Sequence, residues 1–188
     1  YKSPLLSFQC NIDKENPKYN AIIMCYNPNQ LNPNTKWDQR GIIILEIINY
    51  LLSNDSLRVA IKIKGGSDDY VFYDNLLTIY DLKWNVDILN ERMSTHFSKT
   101  EIVIGQISTA VFESNFNNVP YYIYEPYENG KTDEMINSSK IFKRKSISRN
   151  IKELSMNIKN KTPSVTANRN YMFDGPEISQ SDFEHFIN

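Results

Sequence analysis

Glu101 to Pro126, E-I-V-I-G-Q-I-S-T-A-V-F-E-S-N-F-N-N-V-P-Y-Y-I-Y-E-P, decides the fold. The run Ile102-Val103-Ile104 is short, apolar and β-branched, as expected of a parallel strand buried on both faces. Gly105 after it is expected to let the chain turn sharply. Ser108 or Thr109 then caps a helix, and Val119-Pro120 leads into a second apolar run, Tyr121 to Tyr124. Hydroxyls and free amides at a helix N-terminus suit a phosphate, because both the N–H groups and the helix dipole favour negative charge. A plain N-cap is the competing reading of Ser108 and Thr109.

Outward from this stretch the same alternation recurs. Ala21 to Tyr26 reads as a strand and the Asn- and Pro-rich residues 27–35 as a loop at its carboxyl end. Trp37 to Ser53 carries Ile43, Ile44, Ile47, Ile48, Leu51 and Leu52 on one helical face. Leu57 to Ile63 is the next strand, and Lys64-Gly65-Gly66-Ser67-Asp68-Asp69 the loop that follows it. The pattern then weakens. Leu77 to Tyr80 and Trp84 to Val86 read as short strands around a helical turn, and Asn90 to Lys99 as a short helix. Beyond Glu125, Ile147 to Lys159 presents a stripe of Ile147, Ile151, Leu154 and Ile158. Ser181 to Ile187 reads as a final helix.

The expected fold class is therefore α/β, a Rossmann-like parallel sheet flanked by helices. Residues 1–18 read as a lead-in or linker, 19–160 as the domain and 161–188 as a tail with a helix. A chain of 188 residues suffices for one such core without disulfides or metal. With 21 basic and 22 acidic side chains, no charge excess argues for nucleic acid. Cys10 and Cys25 form no ligand-spaced group and read as reduced structural thiols. No run approaches the roughly 18 apolar residues of a membrane span, so a cytoplasmic protein, at most peripheral on the inner face of a membrane, is expected.

Gly105, the Ser108-Thr109 pair, Glu113 and Val119-Pro120 resemble the nucleotide-sugar half of GT-B glycosyltransferases. The likeness is greatest to bacterial sialyl- and polysialyltransferases and to related capsule or teichoic-acid polymer transferases. The resemblance implies Ser108 and Thr109 as donor phosphate ligands and Glu113 as the nucleoside contact. It implies a nucleotide-sugar donor, CMP- or CDP-linked, as substrate, with no metal and no resident cofactor. It further implies a glycan or lipid-linked acceptor and a partner N-terminal domain before Tyr1. The specific motifs span about a quarter of the chain. Where many such transferases carry a His-Pro pair, this chain has Lys64-Gly65. Lys64 would then neutralise the leaving phosphate, while Gly65 and Gly66 allow close backbone approach. A glycine turn with a surface lysine is the plainer reading.

Other candidates have plain alternatives. Asp68 and Asp69 suit a divalent cation less well than a helix start. His96 and His185 read as surface histidines. Lys140, Lys143, Arg144, Lys145 and Arg149 read as a solvated basic face, or else as a steering patch for a polyanionic acceptor or an anionic lipid leaflet. Tyr121, Tyr122, Tyr124 and Tyr127 could stack on a nucleobase; a tyrosine-rich core strand explains most of them, which leaves Tyr124 to Tyr127, after the strand, as the stacking candidates.

Overall fold

A computed structural model of the chain describes residues 17–26, 36–53, 57–64, 67–127 and 147–164, together with Glu134 and Phe142. Five strands form one all-parallel sheet: β1 (Tyr19–Met24), β2 (Val59–Lys62), β3 (Val86–Leu89), β4 (Thr100–Gly105) and β5 (Tyr121–Ile123). Their order is β3-β2-β1-β4-β5. Parallel neighbours require crossovers, supplied by α1 (Lys36–Leu52), α2 (Ser67–Ile79) and α3 (Thr109–Phe116). Two 3-10 turns, Met93–Thr95 and Phe97–Lys99, carry the chain from β3 to β4, and α4 (Ile151–Lys159) follows β5. The fold is thus Rossmann-like.

Side-chain alternation along each strand feeds two separate cores. Ala21, Ile23, Val59, Ile61, Ile104 and Tyr122 pack with Ile43, Ile44, Ile47, Ile48 and Leu51 of α1, Tyr73 and Leu77 of α2, and Leu154 of α4. Ile22, Ala60, Val103, Tyr121 and Ile123 face the opposite layer, with Ala110 and Val111 of α3 and Met93 and Phe97 of the 3-10 turns. Each fully buried aliphatic or aromatic side chain contributes about 1.5–3 kcal/mol.

Four sequence expectations are corrected. Leu77 to Tyr80 is not a strand, because α2 runs to Ile79, and the next strand is Val86–Leu89 rather than Trp84 to Val86. Trp84 is 90 % exposed, outside any core. Asn90 to Lys99 forms 3-10 turns instead of one helix, and the helix expected from Ile147 starts at Ile151. That start is fixed by a pair of caps related to the capping box. Asn150 Oδ1 accepts the Glu153 N–H at 3.0 Å, while Glu153 Oε2 accepts the Arg149 N–H at 2.7 Å.

The outer side of β5 is occupied. Ser148 donates to the Ile123 carbonyl and accepts from the Glu125 N–H, while Ser164 donates its N–H to the Tyr121 carbonyl and takes the Ile123 N–H on Oγ. The core therefore extends to Ser164. Among the described residues no helix is long and apolar enough to cross a membrane. Gly65, Gly66, Cys10, His185, the Ser181 to Ile187 helix and the basic run other than Arg149 lie outside the described residues.

Candidate functional site

Order β3-β2-β1-β4-β5 reverses direction at β1. The crossovers from β1 and β2 lie on one face of the sheet and the α3 crossover on the other, so the place where open α/β sheets form their ligand crevice lies beyond the carboxyl ends of β1 and β4. The turn from Gly105 to Ser108 stands at this point. On the α3 face, register aligns Leu89, Lys62 and Met24 across β3, β2 and β1. Ile23 pairs with Ile104, which sets Gly105 beside Met24.

Gly105 has a different reason from the expected one. Its backbone is not in the left-handed region; instead a Cβ there would lie 2.6 Å from the Tyr121 hydroxyl and 2.7 Å from Met24 Cβ. Glycine is required by space. The Tyr121 hydroxyl fills the gap and donates to the Gln106 carbonyl at 2.7 Å. Burial pushes its phenol pKa up, with the adjacent Ser108 hydroxyl acting the other way.

Ser108 is the N-cap of α3, with extended φ of -159°, yet its side chain makes no capping bond. Its Oγ is buried, turned toward Tyr121. Thr109 opens the first turn and is exposed. Of the expected phosphate ligands, Thr109 thus faces solvent while the Ser108 hydroxyl is drawn inward. The turn also contains its own anion: Glu125, 5 % exposed, accepts the Ile107 N–H on Oε1 at 3.2 Å. Tyr26 closes the floor, donating its hydroxyl to the Tyr124 carbonyl at 2.6 Å.

Glu113 lies half-buried on α3. Burial raises its carboxyl pKa, and the Lys62 ammonium opposes that shift. Lys62, not Lys64, is the lysine that acts on it. Lys62 is only 8 % exposed, and burial pushes its ammonium pKa down against the fields of Cys25, Glu91 and Glu113. Its Nζ donates to the Ile63 carbonyl, and among the described residues it forms no ion pair. Lys64 is exposed and lies near the thiol of Cys25, whose side chain belongs to the layer of α1 and α2. Gly105, Ser108 and Glu113 thus lie on the β4–α3 segment at the reversal point, while Lys64 is an exposed residue just past the end of β2.

Sequence reasoning passed over Lys62, although a charged residue inside the apolar run V-A-I-K-I is itself a signal. It passed over Arg40 as well, which shares the buried stripe of α1 by its spacing from Ile43, Ile44 and Ile47. The Arg40 guanidinium, fully buried, meets Asp69 Oδ1 at 2.8 Å and stacks near the rings of Phe72 and Tyr73. Asp69 is thus the partner of a buried cation near the start of α2. His96 is not on the open surface either: its side chain is 13 % exposed, paired with Glu91 at 3.2 Å, and burial lowers its pKa. Cys25 is a buried free thiol. Tyr121, Tyr122 and Tyr124 are core residues, and Tyr127 is exposed. Arg149 bonds the Glu125 carbonyl at 3.1 Å.

No protein-family model and no curated protein matches the chain.

Proposed function

We propose that this chain is the donor-binding half of a glycosyltransferase that builds a cell-surface polysaccharide from a nucleotide-activated sugar. The observation that carries the reading is the turn from Gly105 to Ser108, which opens α3 at the reversal point of an all-parallel sheet. Open α/β sheets bind nucleotides there, outside the carboxyl ends of the strands. The Thr109 hydroxyl and the first amides of α3 hold the donor phosphate, and Glu113 accepts from the nucleoside hydroxyls. In an inverting transfer, a base on the partner domain deprotonates the acceptor hydroxyl. This half orients the donor and stabilises the departing phosphate.

Calorimetric titration with CMP, CDP, UDP and GDP is the test. Binding at millimolar concentration or tighter, weakened about tenfold by Thr109→Ala as one hydrogen bond to a charged group is lost, supports the reading. Failure of all four nucleotides to bind overturns it.

A second reading is a non-catalytic interaction or regulatory module on the same fold. Its support is the inward-turned Ser108 hydroxyl, the Glu125 carboxylate already bonded to the Ile107 amide, and Lys64-Gly65 in place of His-Pro. If Ser108→Ala with Thr109→Ala leaves polymer synthesis by the full-length protein intact, this reading replaces the first.

A further inference from the structure

We infer that Lys62 is the counter-charge for the second phosphate of a nucleoside diphosphate, so that the crevice takes diphosphate-activated donors in preference to monophosphate ones. The inference rests on the donor-binding reading and narrows its substrate class.

The argument starts from an ammonium with too few partners. Lys62 ends β2 and is 8 % exposed, yet among the described residues its Nζ has one acceptor, the Ile63 carbonyl, and no ion pair. Lysine carries three donors, and a buried charge is normally paired. Among the described residues no acceptor meets the other two donors, which suit a ligand. Tertiary structure holds this cost in place. Its neighbours in the sheet, Leu89 and Met24, are apolar, and Ala60 two residues earlier packs into the α3 layer. The stem of Lys62 therefore lies along the same face as α3.

Position then selects the ligand. Lys62 and Gly105 stand on either side of Met24, two interstrand spacings or about 9.6 Å apart between their Cα positions. One phosphate held at the first turn of α3 is close to the Gly105 side of that row. A second phosphate, linked to the first through a bridging oxygen, projects along the row toward the Lys62 stem. Glu91 and Glu113 act on Lys62 without reaching ion-pair distance, so they bias the ammonium without occupying it.

The test compares CMP with CDP and UMP with UDP by calorimetry on the full 188-residue chain, for wild type, Lys62→Met, Lys62→Gln and Lys62→Arg. Wild type is expected to bind each diphosphate about tenfold or more tightly than its monophosphate, the usual worth of a charge-assisted hydrogen bond. Lys62→Met should erase that preference and leave monophosphate affinity unchanged, while Lys62→Arg should retain most of it. Thermal melts verify folding, since methionine in place of a buried charge is usually tolerated. If Lys62→Met does not fold, Lys62→Gln answers the same question. Equal binding of mono- and diphosphates by wild type, or a preference that survives neutralisation of Lys62, overturns the inference and leaves the donor-binding reading standing. Absence of all nucleotide binding overturns both.

Discussion

Replacing Gly105 with alanine tests whether this glycine answers to crowding rather than to backbone twist. The added Cβ would approach the Tyr121 hydroxyl to 2.6 Å and Met24 Cβ to 2.7 Å, with Met24 Cγ at 3.2 Å. Neither neighbour yields easily. Tyr121 is 2 % exposed and its hydroxyl is bonded to the Gln106 carbonyl, while Met24 Cβ is fixed to the main chain of β1. Overpacking of this kind costs about 1–3 kcal/mol, and loss of the hydroxyl's bond costs about 1 kcal/mol more. Restricting the unfolded chain returns about 0.4–1 kcal/mol. The balance, taken from these ranges, is a loss of about 2 kcal/mol. Urea unfolding monitored by far-UV circular dichroism measures it. Adding Tyr121→Phe removes the closest contact but leaves Met24, so the double variant should recover only part of the loss. A Gly105→Ala chain within about 0.5 kcal/mol of wild type, the range of an inconsequential surface change, refutes the crowding argument.

Gly41, by contrast, lies inside α1, where a Cβ would meet Leu76 at 3.5 Å and Phe72 at 3.7 Å, ordinary contacts. Gly41→Ala should stabilise the chain by about 0.5–1 kcal/mol in the same unfolding assay. Asp69→Asn strips the fully buried Arg40 of its carboxylate and should cost about 3 kcal/mol, read as a lower urea midpoint. Because burial raises the Glu113 pKa, the native state holds that proton to higher pH than the unfolded chain does. Its contribution to stability is fully present below the ordinary value of 4.5 and is lost as pH rises through the raised value. Glu113→Gln should flatten that part of the stability profile measured by thermal melts across pH.

The stretch from Ile102 to Tyr124 was legible because each signal agreed with the next: a β-branched run, a glycine, hydroxyl residues, a helix, then Val119-Pro120 before a second strand. α1 was legible for the same reason, its isoleucines repeating at helical spacing. α2 was not. Tyr70, Val71, Phe72, Tyr73, Thr78 and Ile79 have strand-like preferences, and among the described side chains of that helix only Tyr73 and Leu77 are fully buried. The packing of that narrow stripe overrode local preference. Strand order could not be read from any single segment, since parallel pairing joins residues as distant as Ile22 and Val103. In the crevice, Ser108, Thr109 and Glu113 carried readable motifs. Lys62 did not, because its significance comes from being enclosed by neighbouring strands, and Lys64 drew attention because it stands where the resembling transferases carry a His-Pro pair.

The hydrogen bonds that Ser148 and Ser164 make to β5 have a bearing on how the molecule meets copies of itself. A parallel sheet normally ends in two rows of open peptide groups, each a template for an added strand. Here one row is already filled from within, at Tyr121, Ile123 and Glu125. Among the described residues, any growth of the sheet by an added strand is thus directed to the β3 side, where the Asp87 carboxylate is turned inward to accept the Tyr19 hydroxyl at 2.8 Å.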